Sequence, residues 1–129
     1  PLFIIGPNIE KRVIDQPVSL VDIAPTLLDL VGAPVHEPMD GQSQVGPLRG
    51  SSGASSNTRP LLVRSTWKGK RLGLVMGRHK YIYDVGNQVE EVYDLKLDPG
   101  EKKNRVDALT EIRDQGRCLL RASGASLTP

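Results

Sequence analysis

The sequence predicts an α/β chain, more closely an α+β arrangement in which the end of a parallel α/β core leads into a small four-stranded antiparallel sheet covered by a C-terminal helix. Three observations predict it. An apolar run and a sharply punctuated apolar helix lie within the first 34 residues; four short β-like runs with glycine-containing separators follow residue 60; an amphipathic repeat closes the chain.

The opening "PLFIIGPNI" reads as a buried strand, Leu2 to Ile5, ended by a Gly-Pro-Asn turn. A buried strand needs neighbours on both sides and nothing precedes this one, so an N-terminal part of the protein is expected to be missing from the sequence. In "QPVSLVDIAPTLLDLVGAP", Pro25 excludes a helix that begins much earlier, since proline lacks an N–H and its ring collides with the carbonyl four residues back. With Asp22 as N-cap, Pro25 falls on the third helical position, where no intrahelical bond is lost. Ser19 then belongs to a preceding turn or a capping box. Ile23, Leu27, Leu30 and Val31 recur at helical spacing and are expected to form the buried face, while Gly32 supplies the left-handed position beyond the C-terminus and Pro34 blocks continuation.

Residues 34–60 have little periodicity and much Gly, Pro and Ser, and read as one long connection with a flexible centre at "GSSGASSNT". Beyond it, "LLVRSTW", "RLGLVM", "HKYIYD" and "EEVYDL" are separated by Lys68-Gly69-Lys70, Gly77-Arg78 and Gly86-Asn87, which predicts an antiparallel meander. Alternation in the third run sends Tyr81 and Tyr83 to one face and Lys80, Ile82 and Asp84 to the other. A turn is expected at Asp98-Pro99-Gly100, with Gly100 taking a positive φ. Val106, Leu109, Ile112, Gly116, Leu119 and Leu120 then mark a helix capped by Asn104 or Asp107. The resulting division is 1–50 as the end of the α/β core, 51–60 as a flexible loop, 61–121 as a small sheet-and-helix subdomain and 122–129 as a frayed tail.

Composition narrows the function. The single cysteine rules out an internal disulfide framework and an all-cysteine metal site, and it leaves the redox compartment open. A net charge of +2 from intermixed acidic and basic residues gives no field that would draw nucleic acid, and no apolar run approaches the ~20 residues that cross a bilayer.

"PLFIIGPNI", "QPVSLVDIAPTLLDLVGAP", "MDGQS", "GRHKYIYD" and "EVYDLKLDPGEKKN" together resemble, in order and spacing, the C-terminal part of the type I sulfatases of the alkaline phosphatase superfamily, from about Pro1 to about Leu120. The chain departs from that pattern at Gln44, where such sequences usually carry leucine, and at Pro47, which is shifted by one. The resemblance implies sulfuric ester hydrolysis in the full-length protein. It also implies a formylglycine nucleophile made from a Cys-x-Pro-Ser-Arg motif and a calcium ion held by Asp and Asn, all upstream of Pro1, so that no residue here is expected to be catalytic or to bind metal. Cys118 does not fit the maturation motif, because "CLLRAS" puts Leu120 where proline is required.

The remaining candidates are few. His79, between Arg78 and Lys80 at the start of a strand, is the one candidate for contact with an anionic substrate, beside the plainer reading of a solvated basic turn; His36 reads as a loop residue. "KGKR" at 68–71, with Arg64 and "GRHK", makes a basic patch if the hairpin brings them together, although charged hairpin ends are ordinary surface features. Two alternative readings stand beside the sulfatase one: a phosphodiesterase or phosphonate monoester hydrolase of the same superfamily, and a non-catalytic module that binds sulfated glycans through those cations. The implied partners are the missing N-terminal part and a sulfate ester, with no nucleic acid.

Overall fold

A computed structural model describes residues 2–34, 39–50, 59–66 and 69–124. The chain divides into two units, residues 1–57 and 58–129.

In the first unit the helix forms as the proline requires, though it begins sooner. A 3-10 turn at Leu20–Asp22 runs into α1, Ile23–Leu30, so Pro25 is indeed the third α-helical residue. The Ser19 amide donates to Asp22 Oδ2 at 3.0 Å, which makes Ser19 the residue that starts the helical path and Asp22 its reciprocal cap. The C-terminus is a Schellman closure: Gly32 sits at φ 70, its amide reaches Asp29 O at 3.2 Å, and the Ala33 amide reaches Leu28 O at 2.9 Å.

Two expectations fail here. Leu2–Ile5 belongs to no strand, with no ladder partner among the described residues; Phe3 is 80% and Ile5 95% exposed. The predicted apolar face of α1 is also only partly covered, with Ile23 and Leu30 half-buried. Asp22, Pro25 and Thr26 are buried whereas Leu27 and Val31 are exposed, because the "MDGQS" segment lies along the Asp22–Thr26 side and satisfies its polar groups. That segment leads into a short helix, α2 (Val45–Leu48), whose Val45 and Leu48 are buried, so residues 39–50 are not the irregular connection the composition predicts. The centre of that connection, 51–58, lies outside the described residues, as does His36.

The second unit is the predicted meander. β1 (Leu61–Ser65), β2 (Arg71–Met76), β3 (His79–Asp84) and β4 (Val89–Asp94) pair antiparallel in the order β1-β2-β3-β4. The β2–β3 hairpin closes on two residues with Gly77 at φ 58, a conformation glycine adopts freely. Leu72, Leu74, Tyr81 and Val92 share one face, and α3 (Thr110–Ala122) lies on it with Leu120 fully buried. Full burial of each such side chain contributes about 1.5–3 kcal/mol.

Asn104 does not cap α3. Its Oδ1 accepts the Val92 and Val106 amides at 3.0 Å each, so it stitches the outer edge of β4 to the turn before the helix. The turn at Asp98 forms, with the Glu101 amide on Asp98 O at 3.1 Å, but the positive φ falls on Glu101 (51) and not on Gly100. The tail beyond residue 124 is outside the described residues.

Candidate functional site

His79 opens β3 directly opposite Met76 on one side and Asp94 on the other. Strand alternation puts its ring on the same face as Asp94, and Nε2 stands 3.9 Å from Asp94 Oδ2. The Arg78 guanidinium donates to that same oxygen, and the amides of Lys96 (3.1 Å) and Leu97 (3.2 Å) donate to Oδ1. Asp94 is only 3% exposed, so these protein donors replace water around it. Burial works against its negative charge, yet the Arg78 hydrogen bond and the two amides outweigh it and hold the carboxyl below the ordinary range. The imidazole is thus placed at a hairpin corner beside a fixed carboxylate, half-buried, with Nδ1 the nitrogen not facing that carboxylate.

The basic segments do not converge. Arg71 pairs with Asp84 across the sheet and Met76 with His79, so "KGKR" and "GRHK" occupy opposite ends of the hairpin, roughly 16 Å apart by strand rise. Arg64, opposite Leu72, belongs to the first end. Three of these cations are also paired locally. Arg71 Nε donates to Asp84 at 3.0 Å, Arg78 to Asp94, and Lys80 Nζ to both Glu101 oxygens at 2.8 and 2.9 Å. Asp84 doubles as the cap of the β3–β4 turn, where the Asn87 amide at 3.0 Å holds its carboxyl low. Lys68 lies outside the described residues.

A polar cluster not evident from sequence joins α3 to the sheet. Tyr81 Oη donates to Glu90 Oε1 at 2.6 Å, while Arg117 grips the same carboxylate with Nε to Oε1 at 3.0 Å and Nη2 to Oε2 at 2.5 Å. The arginine hydrogen bond holds the Glu90 carboxyl below its usual range, and Glu90 in turn raises Arg117 further. Burial, and then the bond to Glu90, pushes the Tyr81 phenol well up. Twenty-seven residues separate Glu90 from Arg117, so no local spacing announces the pair; Gly116 inside a helix was the available signal, since a Cβ there would meet Tyr81 Cγ at 2.5 Å.

In the first unit Asp22 Oδ1 accepts the Gln42 amide at 2.9 Å and Thr26 Oγ1 accepts the Gln44 amide at 3.0 Å, while Ser43 Oγ donates to Asp29. Gly41 is pressed against the helix start: a Cβ on it would fall 1.9 Å from Val21 O. Gln44, at the position where leucine is usual, therefore serves through its backbone N–H. Pro47 sits within α2. A groove of about 310 Å³ runs between residues 2–5 and Ile23, Thr26 and Leu27.

Cys118 is exposed on α3. Among the described residues no three His, Cys, Asp or Glu side chains gather as metal ligands, and no helix is long and apolar enough to cross a membrane.

No family model matches the chain. It is similar to arylsulfatase K of Rattus norvegicus, at 33% identity over 87% of this chain and 22% of that protein. It is similar also to a Δ4,5-hexuronate-2-O-sulfatase of Bacteroides thetaiotaomicron, at 35% identity over 93% of this chain and 27% of that protein. Its fold superimposes on a solved 2-O GAG sulfatase with a TM-score of 0.74 at 27% identity, covering 92% of this chain and 28% of that one. By sequence and by fold the chain is similar to a part of these sulfatases, and its four-stranded antiparallel sheet and helices match those of the solved sulfatases. It spans about a quarter of the length of the curated relatives it matches.

Proposed function

We propose that this chain is the C-terminal portion of a sulfatase-like hydrolase that cleaves sulfuric esters, and that a preceding segment of the same polypeptide supplies the reactive centre. The observation that carries the reading is residues 2–5. Leu2, Phe3 and Ile5 are exposed and form no strand pairing among the described residues, and they border an apolar groove on α1. We read their exposed apolar side chains as a surface that a preceding segment would cover. On this reading residues 1–50 end the α/β core, 51–60 connect, 61–121 form the sheet-and-helix subdomain that walls the active-site cleft, and 122–129 trail from it.

Calcium and formylglycine belong to the preceding segment in this proposal. The described residues fit neither group: they bring no ligand cluster together, and Cys118 is followed by Leu119-Leu120-Arg121 where a modified cysteine needs proline and a later arginine. The chain's own contribution is to shape and support. His79 is the residue we assign to the substrate edge, because a partly exposed imidazole beside a fixed Arg78–Asp94 pair offers a positioned donor to a sulfate oxygen. In the full-length enzyme His79→Ala is expected to raise KM several-fold for an aryl sulfate with kcat little changed; an unaltered KM removes His79 from the site.

The names of the similar proteins favour sulfuric esters over phosphoryl substrates, and parallel assays on a phosphate diester and a phosphonate monoester separate the two. The glycan-binding reading loses its footing where the hairpin cations sit at opposite ends of the sheet, with Arg71, Arg78 and Lys80 each beside a carboxylate. Salt-sensitive retention of the chain on a heparin-like polymer would restore it.

A further inference from the structure

We draw no further inference here: the strongest candidate, the apolar groove of about 310 Å³ between residues 2–5 and the α1 face of the first unit, belongs to the surface on which the proposed function already rests, and nothing in the structure shows what else would cover it.

Discussion

Two glycines and one carboxylate carry the sharpest consequences of single side chains. At Gly116, alanine would gain roughly 1 kcal/mol of helix propensity. Its methyl, however, would lie 2.5 Å from Tyr81 Cγ and 2.9 Å from Tyr81 Cβ, near the root of a fully buried ring that cannot swing aside. Overpacking of that kind costs about 1–3 kcal/mol, so Gly116→Ala is expected to lower the denaturation midpoint; a midpoint equal to or above that of the parent would contradict the packing. At Gly41 the obstacle is backbone, Val21 O at 1.9 Å, and no rotamer relieves it. Gly41→Ala should detach the loop, seen as faster amide exchange at Gln42 and Gln44, whose N–H groups are bonded to Asp22 and Thr26. Glu90 has a depressed carboxyl value in the fold, held there first by Arg117. Its stabilisation is therefore complete above the unfolded value of about 4.3 and disappears as pH falls through the lower folded value. Glu90→Gln should cost about 1 kcal/mol at neutral pH, reduced by the partial exposure of Arg117, and should flatten the acid limb of the stability profile. An acid limb that is unchanged would show that the pair contributes nothing.

At the scale of elements, the sheet was legible and the first helix only half so. Glycine-bearing separators at 77–78 and 86–87 fix two hairpins, and their spacing leaves strands of the right length, so β2, β3 and β4 emerge from local chemistry alone. The ends of α1 were readable for the same reason, because Pro25 and Gly32 act through the backbone. Its buried side was not: periodicity selects Leu27 and Val31, whereas the loop that covers α1 docks through Asp22 and Thr26, a hydrogen-bonded contact between segments about 20 residues apart. The same limit explains Asn104, whose amide serves β4 across the fold, and the Arg117–Glu90 pair. The docking of α3 has two tests. Leu120→Ala removes a side chain with no exposure and should cost about 2–5 kcal/mol in denaturant unfolding, with less than 1 kcal/mol contradicting a buried α3. At high pH, burial and the bond to Glu91 push the Tyr93 phenol up to about 12, and Tyr81 is raised as well. Both phenols therefore favour the fold fully below the unfolded value of about 10, and that contribution is lost as pH rises through their folded values. Phenolate absorbance should show Tyr81 and Tyr93 titrating late in the folded chain; an ordinary Tyr81 would contradict the burial of its ring beneath α3, and an ordinary Tyr93 the packing of the opposite face, where it lies across from Lys80.

For the whole molecule, the resemblance to sulfatases was readable because the stretches that carry it include turn and cap residues, among them Asp22, Gly32 and Asp98, that the structure shows fixing α1 and the Asp98 turn. The site was less readable. His79 could be placed at a strand start from sequence, but its neighbour Asp94 becomes visible only through the β3–β4 register, and the supposed basic patch dissolves once the register puts its two halves at opposite ends. What unites the two units functionally is the proposal that both are parts of a larger sulfatase-like hydrolase in which this chain builds walls and an earlier segment does the chemistry. The most direct test is the hydrolysis of an aryl sulfate, with calcium present, by the 129-residue chain and by the product of a reading frame extended upstream of Pro1. The extended protein should release sulfate and the 129-residue chain none; turnover by the 129-residue chain above background would contradict the account.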